Sequence, residues 1–282
     1  MRRQLTVAAV AAVAAATVSL PAGAAHAAPA SGPQWYLALG DSLAAGYQPT
    51  TGDNKTGGYV GGALTLLKRQ NPKVKLTNLA CSGEDTKTFS DGTKCDDGNA
   101  KKSQQARAIK FLKAHAKKQG VVTIDLGAND INHCVSGGSI DLTCLQAGLT
   151  DVATNLPTIL QKLHAAAPNA KIVVLNYYNP FLAAYLTGPD GQTLAKQSET
   201  LATIFNGEIA QAAATIKAPV ADIAKAFLSN ADTPLVTTPY GKIPTNVARI
   251  CSWTWMCSMS NIHANDYGYT VMWWALAPYL KA

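Results

Sequence analysis

From residue 35 onward, short segments dominated by apolar and β-branched residues alternate with longer ones in which apolar positions recur every three or four residues. The short segments are 35–39, 74–79, 121–126 and 171–178, with 220–223 a weaker fifth. Apolar runs of this length suit parallel strands covered on both faces. The longer segments are 61–70, 103–118, 149–167, 194–216 and 265–280. In the second of these, Ala106, Ile109, Leu112 and Ala116 fall on one helical face. Strands alternating with helices predict an α/β fold with a central parallel sheet of about five strands and helices on both sides.

The N-terminus departs from this pattern. Met1-Arg2-Arg3 is basic, residues 5–20 are almost wholly Ala, Val, Thr and Leu, and small residues lead to Ala25-His26-Ala27. These are the three parts of a secretory signal peptide, with cleavage expected near Ala27. The apolar run is short of the about 20 residues that a membrane span needs. Residues 28–282 are then a secreted, soluble protein of a length that one α/β domain uses.

Charge and cysteine content narrow the picture further. The net charge is +7, of which Arg2 and Arg3 supply two, and the densest lysines, in 101–118, read as a solvated helix face. Without a basic stripe on a recognisable module, nucleic acid is not an expected partner. All 6 cysteines follow residue 27, and an even count in an exported chain reads as three disulfides. They fall into local pairs, which favours Cys81–Cys95, Cys134–Cys144 and Cys251–Cys257. There is no C-x-x-C or H-E-x-x-H motif, and Asp91, Asp96 and Asp97 lack EF-hand spacing, so no metal or cofactor is expected.

Ligands of open parallel sheets bind beyond the carboxyl ends of the strands. Gly40-Asp41-Ser42-Leu43 follows the first strand, Cys81-Ser82-Gly83 the second and Gly127-Ala128-Asn129-Asp130 the third. A serine hydroxyl becomes a nucleophile beside a base, usually histidine. His115 and His164 lie in helical stretches, and His133 follows the Asn129 loop. His263, just before the last helix, is best placed to reach the sheet edge. The N–H groups of Ser42 and Gly83 and the Asn129 amide are donors suited to an oxyanion. Asp41 and Asp130 are expected to hold loop backbone near the site.

In these residues the chain resembles the SGNH (GDSL-type) hydrolases. Gly40-Asp41-Ser42-Leu43, Asn78-Leu79-Ala80-Cys81-Ser82-Gly83, Gly127-Ala128-Asn129-Asp130 and His263 match the four family blocks in type and order. Secreted actinobacterial lipases and esterases look especially similar. The resemblance implies a flavodoxin-like three-layer α/β/α fold and ester hydrolysis through an acyl-serine, with Ser42 as nucleophile and His263 as base. The elbow of the α/β-hydrolases, G-x-S-x-G, fails here at Ala44.

One position departs from the family pattern. The Asp usually found three residues before the histidine is Ser260. An acid from elsewhere, with Asp266 nearest, or a backbone carbonyl of Ser260 or Asn261 is left to hold the imidazole; the third alternative is an inactive protein. The carbonyl, and with it a Ser42–His263 dyad, is favoured. Trp253, Trp255 and Met256 lie shortly before His263 and either line an acyl pocket, touch a lipid surface or pack under their own loop; residues 181–186 offer a second apolar wall. The expected protein is a monomer acting on a small-molecule or lipid ester. A carbohydrate deacetylase and a non-catalytic secreted protein are the alternatives.

Overall fold

The computed structural model describes residues 32–95 and 98–281, so the expected signal peptide lies outside the described residues. Five strands form one parallel sheet: β1 (Trp35–Gly40), β2 (Lys75–Asn78), β3 (Gly120–Asp125), β4 (Lys171–Leu175) and β5 (Val220–Ala221). Their order is β2-β1-β3-β4-β5. β1 and β3 are buried at every position, which is why both read as largely apolar runs, with Thr123 and Asp125 of β3 the buried polar exceptions. At the sheet edge β2 exposes Lys75. The order reverses at β1, whose register runs from Trp35↔Gly120 to Gly40↔Asp125 along β3. Ligand crevices form at such a switch point.

The main helices are α1 (Gly58–Gln70), α2 (Gln104–His115), α3 (Leu142–Ala166), α4 (Pro189–Ala214), α5 (Thr245–Trp253) and α6 (Asp266–Leu280). α1 packs against α6, whereas α2 packs on α3 and α3 on α4. The arrangement is the three-layer α/β/α fold with five parallel strands that the sequence pattern and the resemblance imply.

α3 and α4 both begin earlier than their apolar periodicity suggests. Asp141 caps α3 by accepting a hydrogen bond from the Cys144 N–H at 3.0 Å, and Pro189 sits in the first turn of α4, where its missing N–H costs nothing. The hairpin of Val135–Ser136 with Ser139–Ile140, the 3₁₀ segment Pro180–Thr187 and α5 were not expected. The three disulfides join the expected pairs, Cys81–Cys95, Cys134–Cys144 and Cys251–Cys257. Among the described residues, no helix is long and apolar enough to cross a membrane.

Candidate active site

The turn after β1 is fixed from below. Gly40 has φ 128°, and a Cβ there would collide with the Asp125 carbonyl, so glycine lets the chain leave the sheet at this point. Asp41 is buried under the turn, where its Oδ1 accepts from the Leu43 N–H at 2.9 Å and its Oδ2 from the Tyr177 hydroxyl at 2.7 Å. The Asp41 N–H donates to Asp125 Oδ1 at 3.0 Å, and the Tyr59 hydroxyl donates to Asp125 Oδ2 at 2.5 Å. Burial pushes both carboxyls up, Asp125 well above the usual range because the Asp41 charge adds to it. The Gln104 amide grips Gly40 on both sides, accepting from its N–H at 2.7 Å and donating to its carbonyl at 2.9 Å. Of this scaffold, sequence reasoning assigned a role to Asp41 alone.

His263 reaches the same turn from the other end of the chain. Its Nε2 lies 2.7 Å from Ser42 Oγ. Its Nδ1 lies 2.7 Å from Asn261 Oδ1, and the His263 backbone N–H donates to that same oxygen at 3.1 Å. The second bond decides the chemistry of the first. A backbone N–H only donates, so the amide atom facing it is the oxygen. Nδ1 therefore carries the hydrogen, which leaves the Nε2 lone pair for the Ser42 hydroxyl.

This corrects the expectation that a backbone carbonyl of Ser260 or Asn261 orients the imidazole: the partner is the Asn261 side chain. Ser260 adopts a left-handed conformation, φ 50°, and closes the turn by donating its N–H to the Met256 carbonyl at 3.0 Å. The chain reversal lets Asn261 fold back over residue 263 as an Asx turn, a habit of Asn and Asp side chains that the N-x-H spacing already permits. Asp266 is engaged elsewhere, accepting from Gln48 Nε2 at 3.1 Å. The loop is held by the Trp255 N–H on the His263 carbonyl at 2.9 Å and by the Tyr178 hydroxyl on the Ile262 carbonyl at 2.7 Å. Burial pushes the His263 imidazole down to about 4, against the opposing charge of Asp53, so the ring is neutral at neutral pH.

The second and third loops converge on the first. The Cys81 N–H donates to the Gly40 carbonyl at 3.1 Å, and Asn129 Nδ2 donates to the Glu84 carbonyl at 2.9 Å, leaving the second Asn129 amide hydrogen for a ligand. Gly83 has φ 82°, and a Cβ there would come within 2.8 Å of the Lys94 side chain. Asp130 accepts from Thr86 through both carboxylate oxygens, tying the third loop to the second. Burial raises its carboxyl to about 7.

Ser42, Asn129 and His263 open on one cavity, whose other walls include Ile131, Val135, Leu145, Phe181, Leu201 and Phe205. Phe181 was an expected wall residue. Trp253, Trp255 and Met256 do not line this cavity, so they are not its acyl wall. Trp253 sets its ring edge-on to Phe227 under the Arg249 guanidinium, and Trp255 Nε1 donates to Gln48 Oε1 at 2.5 Å. His115 is turned onto the Phe111 carbonyl at 2.8 Å, and His133 is exposed.

The fold and its loops define a flavodoxin-like α/β protein with a hydrogen-bonded Ser–His pair at the switch point of the sheet. The GDSL-like Lipase/Acylhydrolase family model matches residues 38–271, and the chain belongs to that family of esterases and lipases. Among solved structures it is similar to a lipase from a goat rumen metagenome (TM-score 0.57, 18% identity, covering 87% of this chain and 96% of that one). It is also similar to a protein of Parabacteroides merdae described as a GDSL-like lipase (TM-score 0.54, 17% identity, covering 89% and 97%). No curated protein matches the chain.

Proposed function

We propose that this protein is an exported carboxylic ester hydrolase acting through an acyl-serine, with Ser42 as nucleophile, His263 as general base and Asn261 as the residue that positions His263. The observation that carries the proposal is the 2.7 Å contact between Ser42 Oγ and His263 Nε2 at an apolar cavity.

In the first half-reaction Ser42 Oγ bonds to the ester carbonyl carbon while its proton passes to His263 Nε2. The oxyanion is held by the Ser42 and Gly83 N–H groups and the Asn129 amide. The carbon–oxygen bond to the alcohol then breaks, the alcohol leaves with the proton from His263, and Ser42 keeps the acyl group. Water, deprotonated by His263, releases the acid and restores Ser42. Asn261 supplies no charge, so the imidazolium formed at each step rests on an amide oxygen. The apolar walls support an acyl chain in the cavity over a sugar. The signal-like start at residues 1–27 and the three disulfides support export.

Hydrolysis of p-nitrophenyl esters of graded acyl length by wild type and Ser42→Ala tests the proposal. Turnover that disappears in the variant is the expected result. A wild type inert at every length, or a variant as active as wild type, overturns it.

A further inference from the structure

A second depression lies beside the catalytic cavity and shares one wall residue with it. α4 contributes Leu201 and Phe205 to it, and the segment just before α3 contributes Val135. On the far side of Leu201 the same two segments enclose a second depression, an open groove between the Val135–Ile140 hairpin and the N-terminal half of α4. Its apolar surface is made by Ile140, Leu142, Leu194 and Leu201, and its rim by polar residues of α4 that include Thr193 and Gln197. Leu201 borders both spaces. Leu194 and Leu201 lie seven residues apart on one helix, two turns or about 10 Å along its axis.

Two features shape the groove. Leu142 is 68% exposed at the first position of α3, although a large aliphatic side chain there gains nothing from water. The hairpin that forms the opposite bank has only two residues per strand, too little to hold itself, and the Cys134–Cys144 disulfide ties its base to the start of α3. The pinned hairpin keeps open a groove of mixed apolar and polar lining that shares Leu201 with the catalytic cavity. An unbranched alkyl chain has the Ile140, Leu142, Leu194 and Leu201 side chains of this groove to lie on.

We propose that the distal part of a long acyl chain leaves the catalytic cavity past Leu201 and lies in the groove between the hairpin and α4, which makes this a hydrolase of long-chain acyl esters. The inference rests on the acyl-serine reading of the Ser42 site. The groove adds methylene contacts beyond those the cavity provides, so kcat/KM rises with chain length past the point at which the cavity is full.

Gln197 is exposed and lies one helical turn before Leu201, so a Gln197→Trp change fills the groove from the rim without touching the core. The Leu142→Glu change, also at an exposed position, puts a charge on the groove surface. The assay is kcat/KM for the butyrate, octanoate and palmitate p-nitrophenyl esters in detergent-dispersed form, with circular dichroism to confirm that each variant is folded. Wild type is expected to favour palmitate. Excluding two or three methylenes from an apolar surface lowers the palmitate-to-butyrate ratio by roughly fifteen- to fifty-fold in Gln197→Trp, with a smaller fall in Leu142→Glu. Two folded variants that both keep the wild-type ratio overturn the groove while leaving the ester hydrolase intact, as does a wild type that favours butyrate. A wild type without turnover at any length overturns the Ser42 reading itself.

Discussion

Replacing Asn261 with aspartate changes one atom type at the imidazole and reverses the electrostatics of the pair. In the native chain Nδ1–H donates to a neutral amide oxygen 2.7 Å away, and burial holds the imidazole down to about 4. Asn261→Asp keeps the acceptor and its geometry but adds a negative charge in direct contact. An opposite charge at such a distance raises a pKa by about 1–3 units, which is about 1.4–4 kcal/mol in favour of the imidazolium. The base must be neutral to accept the Ser42 proton, so activity is lost as pH falls through the His263 pKa. The acid limb of kcat/KM is therefore expected near pH 4 in the wild type and about 1–3 units higher in Asn261→Asp. Above that limb the variant should turn over at least as fast, because the imidazolium formed in the transition state now has a counter-charge. The assay is the pH profile of p-nitrophenyl butyrate hydrolysis between about pH 3 and 9, followed at the isosbestic wavelength. Asn261→Ala, which removes the acceptor altogether, should lower kcat by about 10²-fold or more at every pH. An acid limb that stays in place or moves down in Asn261→Asp refutes Asn261 as the partner of Nδ1.

Two other predictions concern stability. The folded state resists protonation of His263 down to about pH 4, while an unfolded chain takes up that proton near pH 6.5, so His263 contributes stability above pH 6.5 that is lost as pH falls toward 4. The loss amounts to about 3 kcal/mol; chemical denaturation at pH 7 and pH 4 should show His263→Gln losing less between them than wild type, and an equal loss in both would contradict the assignment. The Asp125 carboxyl is shifted the other way and favours folding while it holds its proton, a contribution lost as pH rises above its unfolded value near 4. Asp125→Asn mimics the protonated acid and should flatten the decline in Tm toward alkaline pH, whereas Asp125→Ala strands the Tyr59 hydroxyl, leaves the Asp41 N–H only the residue 125 carbonyl, and should cost about 1–3 kcal/mol. A Tm that falls equally with pH in wild type and Asp125→Asn would count against the raised carboxyl.

The parts of this architecture that sequence reveals are those governed by local chemistry. β1 and β3 are legible because burial on both faces favours apolar residues at most positions, and the loops after them because Gly40 and Gly127 punctuate the strand ends. β5 is nearly illegible: two residues suffice to pair with β4, and two residues carry no period. The cysteine pairs follow from proximity along the chain. The scaffold beneath Ser42 was hidden because Tyr59, Gln104, Asp125 and Tyr177 come from four separate elements and look like ordinary core or helix residues until the fold assembles them. Asn261 is different, since Asn two residues before a histidine is a local Asx-turn signal. The cavity and groove depend on the hairpin meeting α4 across some fifty residues of sequence, which no local pattern records.

The most direct test of the central claim is covalent. A fluorophosphonate gives up fluoride to an activated serine and leaves a phosphonyl group of known mass on its Oγ. Intact-mass spectrometry followed by peptide mapping on wild type, Ser42→Ala and His263→Ala reads the result. The account predicts one adduct per wild-type chain, located on Ser42, none in Ser42→Ala, and labelling slowed by orders of magnitude in His263→Ala. A wild-type chain that stays unlabelled, or an adduct on any other serine, would contradict it.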